Sequence, residues 1–286
     1  MCMEFFITQT ISFLIFLRGS GGAQLKILLN LNSPQGGEIR LPRVNLHILQ
    51  GFVYNLMSSN LAKFLHDEGY KIDGRKFKLF SFSWLMGKKV FDDKYVVFQD
   101  GASLVISSSL SSISQDVLNE VLQKEYLRLA GNEVFCSSVN VYTELVVEEE
   151  ISIRTLSPIC CYSTMYKTDG RPYTVYHAPS EQDFQRQIHN NLLKKYKLIY
   201  SERAVPEGKV TLEPLSRPRL QTALFKPDDP RPIKGWWGDF VLKGPKELLS
   251  VALDAGIGVK NSAGWGCVTL FERKGRNKHG LPRSGI

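Results

Sequence analysis

Cysteine pairs of the C-x-x-C kind are missing from this sequence, and its five cysteines (Cys2, Cys136, Cys160, Cys161, Cys267) are odd in number, two of them adjacent. That pattern argues against a disulfide framework and points to reduced core residues. Histidine is scarce, with five in 286 residues and none at a ligand spacing from a cysteine, so no zinc site is expected. Long apolar runs are lacking too. The stretch over residues 11–17 is well short of the ~20 residues that a membrane span needs. With Glu4 before it and Arg18 after, it also reverses the charge order of a secretory signal. Residues 1–24 are expected to be an extension, disordered or owed to a misplaced start codon, because folded pattern begins at Leu25. Neither a Gly-Lys-Ser/Thr phosphate loop nor a complete G-x-G-x-x-G occurs, which disfavours ATP and NAD. The acids at Asp92-Asp93, 148–150 and Asp228-Asp229 read as turn and linker charges, which argues against a two-metal nuclease.

What is present is basic charge: 36 Lys and Arg against 28 Asp and Glu, a formal net charge of +8, which favours a polyanionic partner such as nucleic acid. A hydrophobic share of 43% is ordinary globular material, and the length suits about two domains.

The apolar pattern of the first half reads as a strand at LKILLNLN, a helix with Leu49, Phe52, Val53 and Leu56 on its buried face, and a Ser58-Ser59-Asn60 break acting as N-cap for a short helix closed by Gly69. FKLFSFSWLMG and KYVVFQDGASLVISSS follow as strands, then a helix near 114–127 and a strand near 133–141. The order is β-α-β-β-α-β. The second half repeats it from ISIRTLSPICCYS, with a basic amphipathic helix at DFQRQIHNNLLKKYKLIY, strand-like pieces through GWWGDFVLKG, a helix at 246–255 and a last strand. The expected fold is α+β: two tandem ferredoxin-like domains, 25–147 and 148–272, with a glycine-rich loop before the last strand and a basic, disordered tail at 273–286.

That loop, DAGIGVKNSAGWGCV, sets Gly256, Gly258, Gly264 and Gly266 around Lys260-Asn261-Ser262. It follows a helix instead of preceding one, so an anion there would rely on the loop's own N–H groups and on Lys260. An RNA contact and a ligand-free turn are both open readings.

Metal-free RNA cleavage needs a base to free the 2′-hydroxyl, an acid for the departing 5′ oxygen, and positive charge for the phosphorane. Between residues 47 and 78 the chain offers His47, Tyr54, His66, Lys76 and Lys78 within one helix-break-helix-strand unit. Each has a bland reading as a packing, capping or solvated residue.

GIGVKNSAGWGCV resembles the C-terminal glycine motif of CRISPR-associated endoribonucleases of the Cas six group, in the repeat-associated (RAMP) superfamily. LPRVNLHILQGFVYNLMSSNLAKFLHDEG, KLFSFSWLMG and RTLSPICC resemble that family's text in its order, over about residues 25–272. The resemblance implies two facing ferredoxin-like folds and metal-independent, cofactor-free cutting of CRISPR repeat RNA 3′ of its stem-loop region. The products would be a 2′,3′-cyclic phosphate and a 5′-hydroxyl. Carried onto matching text, the implied active site is Tyr54 of FVYN, His66 of FLHDEG and Lys78 before LFSFS. Lys76 competes with Lys78, because DEGYKIDGRKF makes the connection from His66 to Lys78 longer than the family pattern, and His47 competes with His66 as the base. The glycine loop, Gly256 to Gly266 with Lys260, Asn261 and Ser262, would help hold RNA. Partners implied are precursor and guide RNA, with effector-complex proteins and a second copy as further candidates, no membrane and a cytoplasmic setting. The alternative is a non-catalytic RAMP-type RNA-binding subunit of an effector complex.

Overall fold

The structure is a computed structural model that describes residues 24–34, 36–201 and 203–272. The extension and the basic tail expected from the sequence fall outside these residues, apart from Gln24.

The first half is built on one antiparallel sheet ordered Phe80–Phe82, Ala102–Ser108, Lys26–Asn32, Asn132–Tyr142, Leu127–Leu129. Counted along the chain, its four main strands lie in the order two, three, one, four. Helices α1 (Leu46–Asn55) and α3 (Ser111–Gln123) connect strand one to two and three to four. They bury Leu49, Phe52 and Val53, and Ile113, Val117 and Leu118, against Ile27, Leu29 and Leu104 of the sheet. These apolar positions recur at helical spacing, so burying one face of each helix also covers the alternate residues of the strands.

The second half repeats the order. Its sheet runs Thr211–Pro214, Asp239–Lys243, Glu150–Thr155, Val268–Leu270, again two, three, one, four, with neighbours antiparallel. Helices α4 (Gln182–Ile199) and α5 (Lys246–Ala255) fill the two connections and pack Phe184, Ile188, Leu192, Leu248 and Leu249 into a second core. The α+β tandem ferredoxin-like architecture is therefore present.

Several boundaries differ from the sequence reading. KYVVFQDGASLVISSS splits into two strands in different sheets: Tyr95–Phe98 joins Ile39–Pro42 and Lys89–Phe91 in a separate three-stranded ribbon. ISIRTLSPICCYS ends its strand at Thr155, and a hairpin, Tyr162–Tyr166 with Pro172–Tyr176, follows around an Asp-Gly turn. Ser58 caps without a side-chain bond; its N–H instead donates to the Asp116 carboxylate at 2.7 Å, tying the break to α3. Helix α2 (Ser59–Lys63) continues as a π-helical turn, Phe64–Glu68, which Gly69 closes at φ +59°. Among the described residues no helix is long and apolar enough to cross a membrane.

Candidate active site and RNA interface

Tyr54 lies at the last turn of α1, and His66 projects from the π-turn after α2. The Ser58 break folds the second element back on the first, so the two rings meet edge to face with centroids 6.1 Å apart. Phe80 also packs edge to face with Tyr54, at 5.8 Å. Lys78 precedes the strand Phe80–Phe82, and its Nζ donates to the His66 carbonyl at 2.9 Å. A Cβ at Gly69 would stand 2.8 Å from the Phe77 carbonyl oxygen, at a residue with φ +59°, so glycine is required for the chain to pass the backbone that leads into Lys78. All three residues suggested by the family resemblance therefore meet at one place.

The charges there have identifiable causes. Burial pushes the Tyr54 phenol up to about 12, opposed by a hydrogen bond with the Ser262 side chain. The phenol thus keeps its proton at neutral pH and can donate. Burial and the nearby Lys76 draw Lys78 down, with Asp67 opposing. His66 is 75% exposed, and its Nδ1 lies 2.8 Å from an Asp67 carboxylate oxygen. With Nδ1–H donating to Asp67, Nε2 is the nitrogen left to face a substrate. The imidazole in turn holds the Asp67 carboxyl below its usual range. Asp67 was not singled out in the sequence; its signal was only its place next to His66.

The competitors sit differently. Lys76 donates to the Asp67 carbonyl at 2.7 Å, one residue beyond the Lys78 contact, so both lysines cap the same turn. The unexpected length between His66 and Lys78 is a hairpin, Tyr70–Ile72 with Arg75–Phe77, turned at Asp73-Gly74. Asp73 bonds Lys194 of α4 at 3.0 Å, docking the hairpin on the second half. His47 is at the other end of α1, where its Nδ1 lies 3.0 Å from the Phe225 carbonyl oxygen.

The glycine loop reaches this site from the second half. Ser262 bonds the Tyr54 hydroxyl, while its carbonyl accepts from Gln50 Nε2 at 2.7 Å. Asn261, 9% exposed, spends its amide inside the loop: Nδ2 donates to the carbonyls of Ile257 (3.1 Å) and Trp265 (2.9 Å), and Oδ1 accepts from Lys195 (2.7 Å). Lys195, 2% exposed, also donates to the Ala255 and Gly256 carbonyls. Burial draws its ammonium down to about 7; the three acceptors work the other way, favouring the charged form. The sequence reading overlooked Lys195, although it falls three residues after the buried Leu192.

Gly256, Gly258, Gly264 and Gly266 all have positive φ, and a Cβ on any of them would run into protein atoms: Ser81, the Cys160 carbonyl, Phe82 and the Ile257 carbonyl respectively. Their smallness is used for internal packing. Lys260 is the exposed member, its ammonium 5.6 Å from the centre of the Tyr162 ring.

Two βαββαβ units joined through such a loop define the class, a tandem ferredoxin-like protein. The family description "CRISPR associated protein Cas6, C-terminal" matches residues 140–270. The chain is 26% identical over 245 residues to the CRISPR-associated endoribonuclease Cas6 of Pyrococcus furiosus, covering 82% of this chain and 85% of that protein. It is 28% identical over 249 residues to CRISPR-associated endoribonuclease Cas6 1 of Methanocaldococcus jannaschii, covering 84% and 91%. A solved structure titled "CRISPR associated protein Cas6" superposes with a TM-score of 0.69 at 25% identity, covering 87% of this chain and all of that one. Together these show that the chain is similar to Cas6 proteins over most of its length, in line with the resemblance that the motifs carry.

Proposed function

We propose that this chain is a metal-independent endoribonuclease that cuts CRISPR repeat RNA in precursor transcripts to give guide RNAs. The observation that carries the reading is the convergence of Tyr54, His66 and Lys78 beside Ser262. The curated relatives, both named as CRISPR-associated endoribonucleases, support it.

In this reading the 2′-hydroxyl attacks the adjacent phosphate, the bond to the 5′ oxygen breaks, and the products are a 2′,3′-cyclic phosphate and a 5′-hydroxyl. His66 exchanges the proton through Nε2 as general base or general acid. Tyr54, held protonated by burial, orients the reacting group or gives a proton to the leaving oxygen. Lys78 has spent one of its three N–H donors on the His66 carbonyl and directs the others at phosphate charge. Lys260 and Ser262 would meet the RNA backbone, on a loop whose buried Gly264 and Gly266 give their N–H groups to the carbonyls of Asn261 and Pro158. Asn261 serves that contact by holding the loop's shape. The domain division at 147/148 belongs to the same reading and is supported by the two separate sheets.

The test is incubation with the CRISPR repeat RNA encoded nearest the gene, in EDTA, with the product ends mapped. One cut leaving a cyclic phosphate is expected. Binding without any product would favour the non-catalytic subunit, and cutting abolished by EDTA would favour a metal-dependent nuclease.

A further inference from the structure

A charged side chain is costly in the place that Lys195 occupies. It lies on α4 with 2% of its surface exposed, between Leu192 and Tyr196 of the second core. An ammonium taken out of water is tolerated only where its N–H groups find acceptors. This one finds three: the carbonyls of Ala255 (3.2 Å) and Gly256 (2.7 Å), and Oδ1 of Asn261 (2.7 Å). None of the three is a carboxylate. The first two bonds close the end of α5, a common use of lysine. The third does not, because Asn261 lies beyond that helix, in the glycine loop.

From Asn261 the path runs to the first unit's site. The amide is held by Lys195 on Oδ1 and by the Ile257 and Trp265 carbonyls on Nδ2, and it starts the 3-10 turn Asn261–Ala263 that presents Ser262. Glycine backbone loses the most freedom on folding, so a loop with four glycines depends on cross-links of this kind to keep one shape. Ser262 then bonds the Tyr54 hydroxyl, and its carbonyl accepts from Gln50, one turn before Tyr54 on α1. Two hydrogen bonds and one peptide link separate the Lys195 ammonium from the Tyr54 phenol.

We propose that Lys195 is a positioning residue for RNA cleavage: by fixing Asn261 it holds Ser262 against Tyr54, and so sets the phenol for the reaction without itself touching RNA. The inference rests on the proposed endoribonuclease activity and adds to it a residue of the second unit that governs the geometry of the first unit's site. A methionine of similar length would fill the same space and bury no charge. The contribution of the ammonium is therefore the fixed loop and not the packing. Displacing a reacting group by about 1 Å costs ~10²-fold in rate, which sets the scale of the expected effect.

The test compares Lys195→Met with the wild type by two readouts, after thermal melting has shown that each variant is folded. The first is single-turnover cleavage of repeat RNA at saturating protein, beside the affinity for the same RNA carrying a 2′-deoxy sugar at the scissile nucleotide, which binds but cannot be cut. Lys195→Met should cleave ~10–10²-fold more slowly at undiminished affinity. In a Ser262→Ala background the same substitution should cost no more than about twofold, because its route to Tyr54 is already broken. The second readout is fluorine NMR of a fluorotyrosine in place of Tyr54, which reports on the phenol without cleavage. Lys195→Met and Ser262→Ala should each move that resonance, and the two together no further than Ser262→Ala alone. Asn261→Ala, which leaves Lys195 its two backbone acceptors, carries the same predictions and replaces Lys195→Met should that variant not fold. A wild-type rate in the folded variant, equal losses in the two backgrounds, or weakened RNA affinity would overturn the positioning role. So would an unmoved resonance, whether or not the RNA is cut. Wild-type protein that never cuts the RNA, with the resonance moving as expected, would sink the nuclease reading alone.

Discussion

In the first half, the connection from strand one to strand two carries Tyr54, His66 and Lys78, partly or fully open to solvent. In the second half, the equivalent connection carries α4, whose inward lysine, Lys195, is sealed under the glycine loop. Strand order is the same in both sheets, yet one unit turns its polar side chains outward and the other uses them to fix a loop. Topology alone therefore does not locate chemistry; the local turns do. In the first unit that turn is π-helical, ending at Gly69, where lack of a Cβ leaves room for the Phe77 carbonyl. In the second it is a run of left-handed glycines that brings Ser262 across to Tyr54.

Breaking the second unit's contribution should give the largest effect. In Gly266→Ala the new methyl overlaps the Ile257 carbonyl oxygen at a residue with φ +73°. A loss of about 3 kcal/mol or more is expected in chemical denaturation. Unchanged stability would mean the loop is not the rigid element described. In the first unit, Lys78→Ala should slow single-turnover cleavage by ~10²-fold, the cost of removing one well-placed electrostatic donor. Lys76→Ala should change it only a few-fold. Equal losses would place both ammonium groups on the phosphate, and the reverse ranking would exchange their roles.

A smaller effect sharpens the boundary between the units. Asp254 of α5 is buried, which pushes it up to about 7; Glu144 adds to the rise and Lys26 opposes it. Lys26, from the first sheet, pairs with Glu144 and donates to the Val268 carbonyl of the second. Since the folded pKa of Asp254 is raised above the unfolded 3.8, the native state keeps a proton that the unfolded chain releases. Stability falls as pH rises from ~4 to ~7 and then levels. Asp254→Asn should flatten that fall in urea melts taken across the same window, and an identical slope would show that Asp254 does not titrate as described.

Much of the frame was legible because its signals are local. The buried face of α1 at Leu49, Phe52 and Val53 follows helical spacing, and the two βαββαβ orders follow the alternation of apolar patterns. What escaped was either irregular or distant. Nothing in FLHDE announces a π-turn. The Asp-Gly turn at Asp169-Gly170 did signal a hairpin, but its strands expose Met165, Tyr166 and Tyr173 and lack a buried alternating face. The bond between Lys195 and Asn261 spans 66 positions, beyond any window of sequence pattern. The glycines looked like room for RNA, whereas the space beside each α-carbon is filled by the protein itself.

The central claim is that His66, oriented by Asp67 and flanked by Tyr54 and Lys78, performs the proton transfer of RNA cleavage. Its most direct test is the single-turnover cleavage rate of repeat RNA by His66→Ala, with the fraction of RNA bound measured on the same samples. The account predicts a rate lower by ~10²–10⁴-fold at undiminished binding. Cleavage at the wild-type rate by fully bound His66→Ala would contradict it.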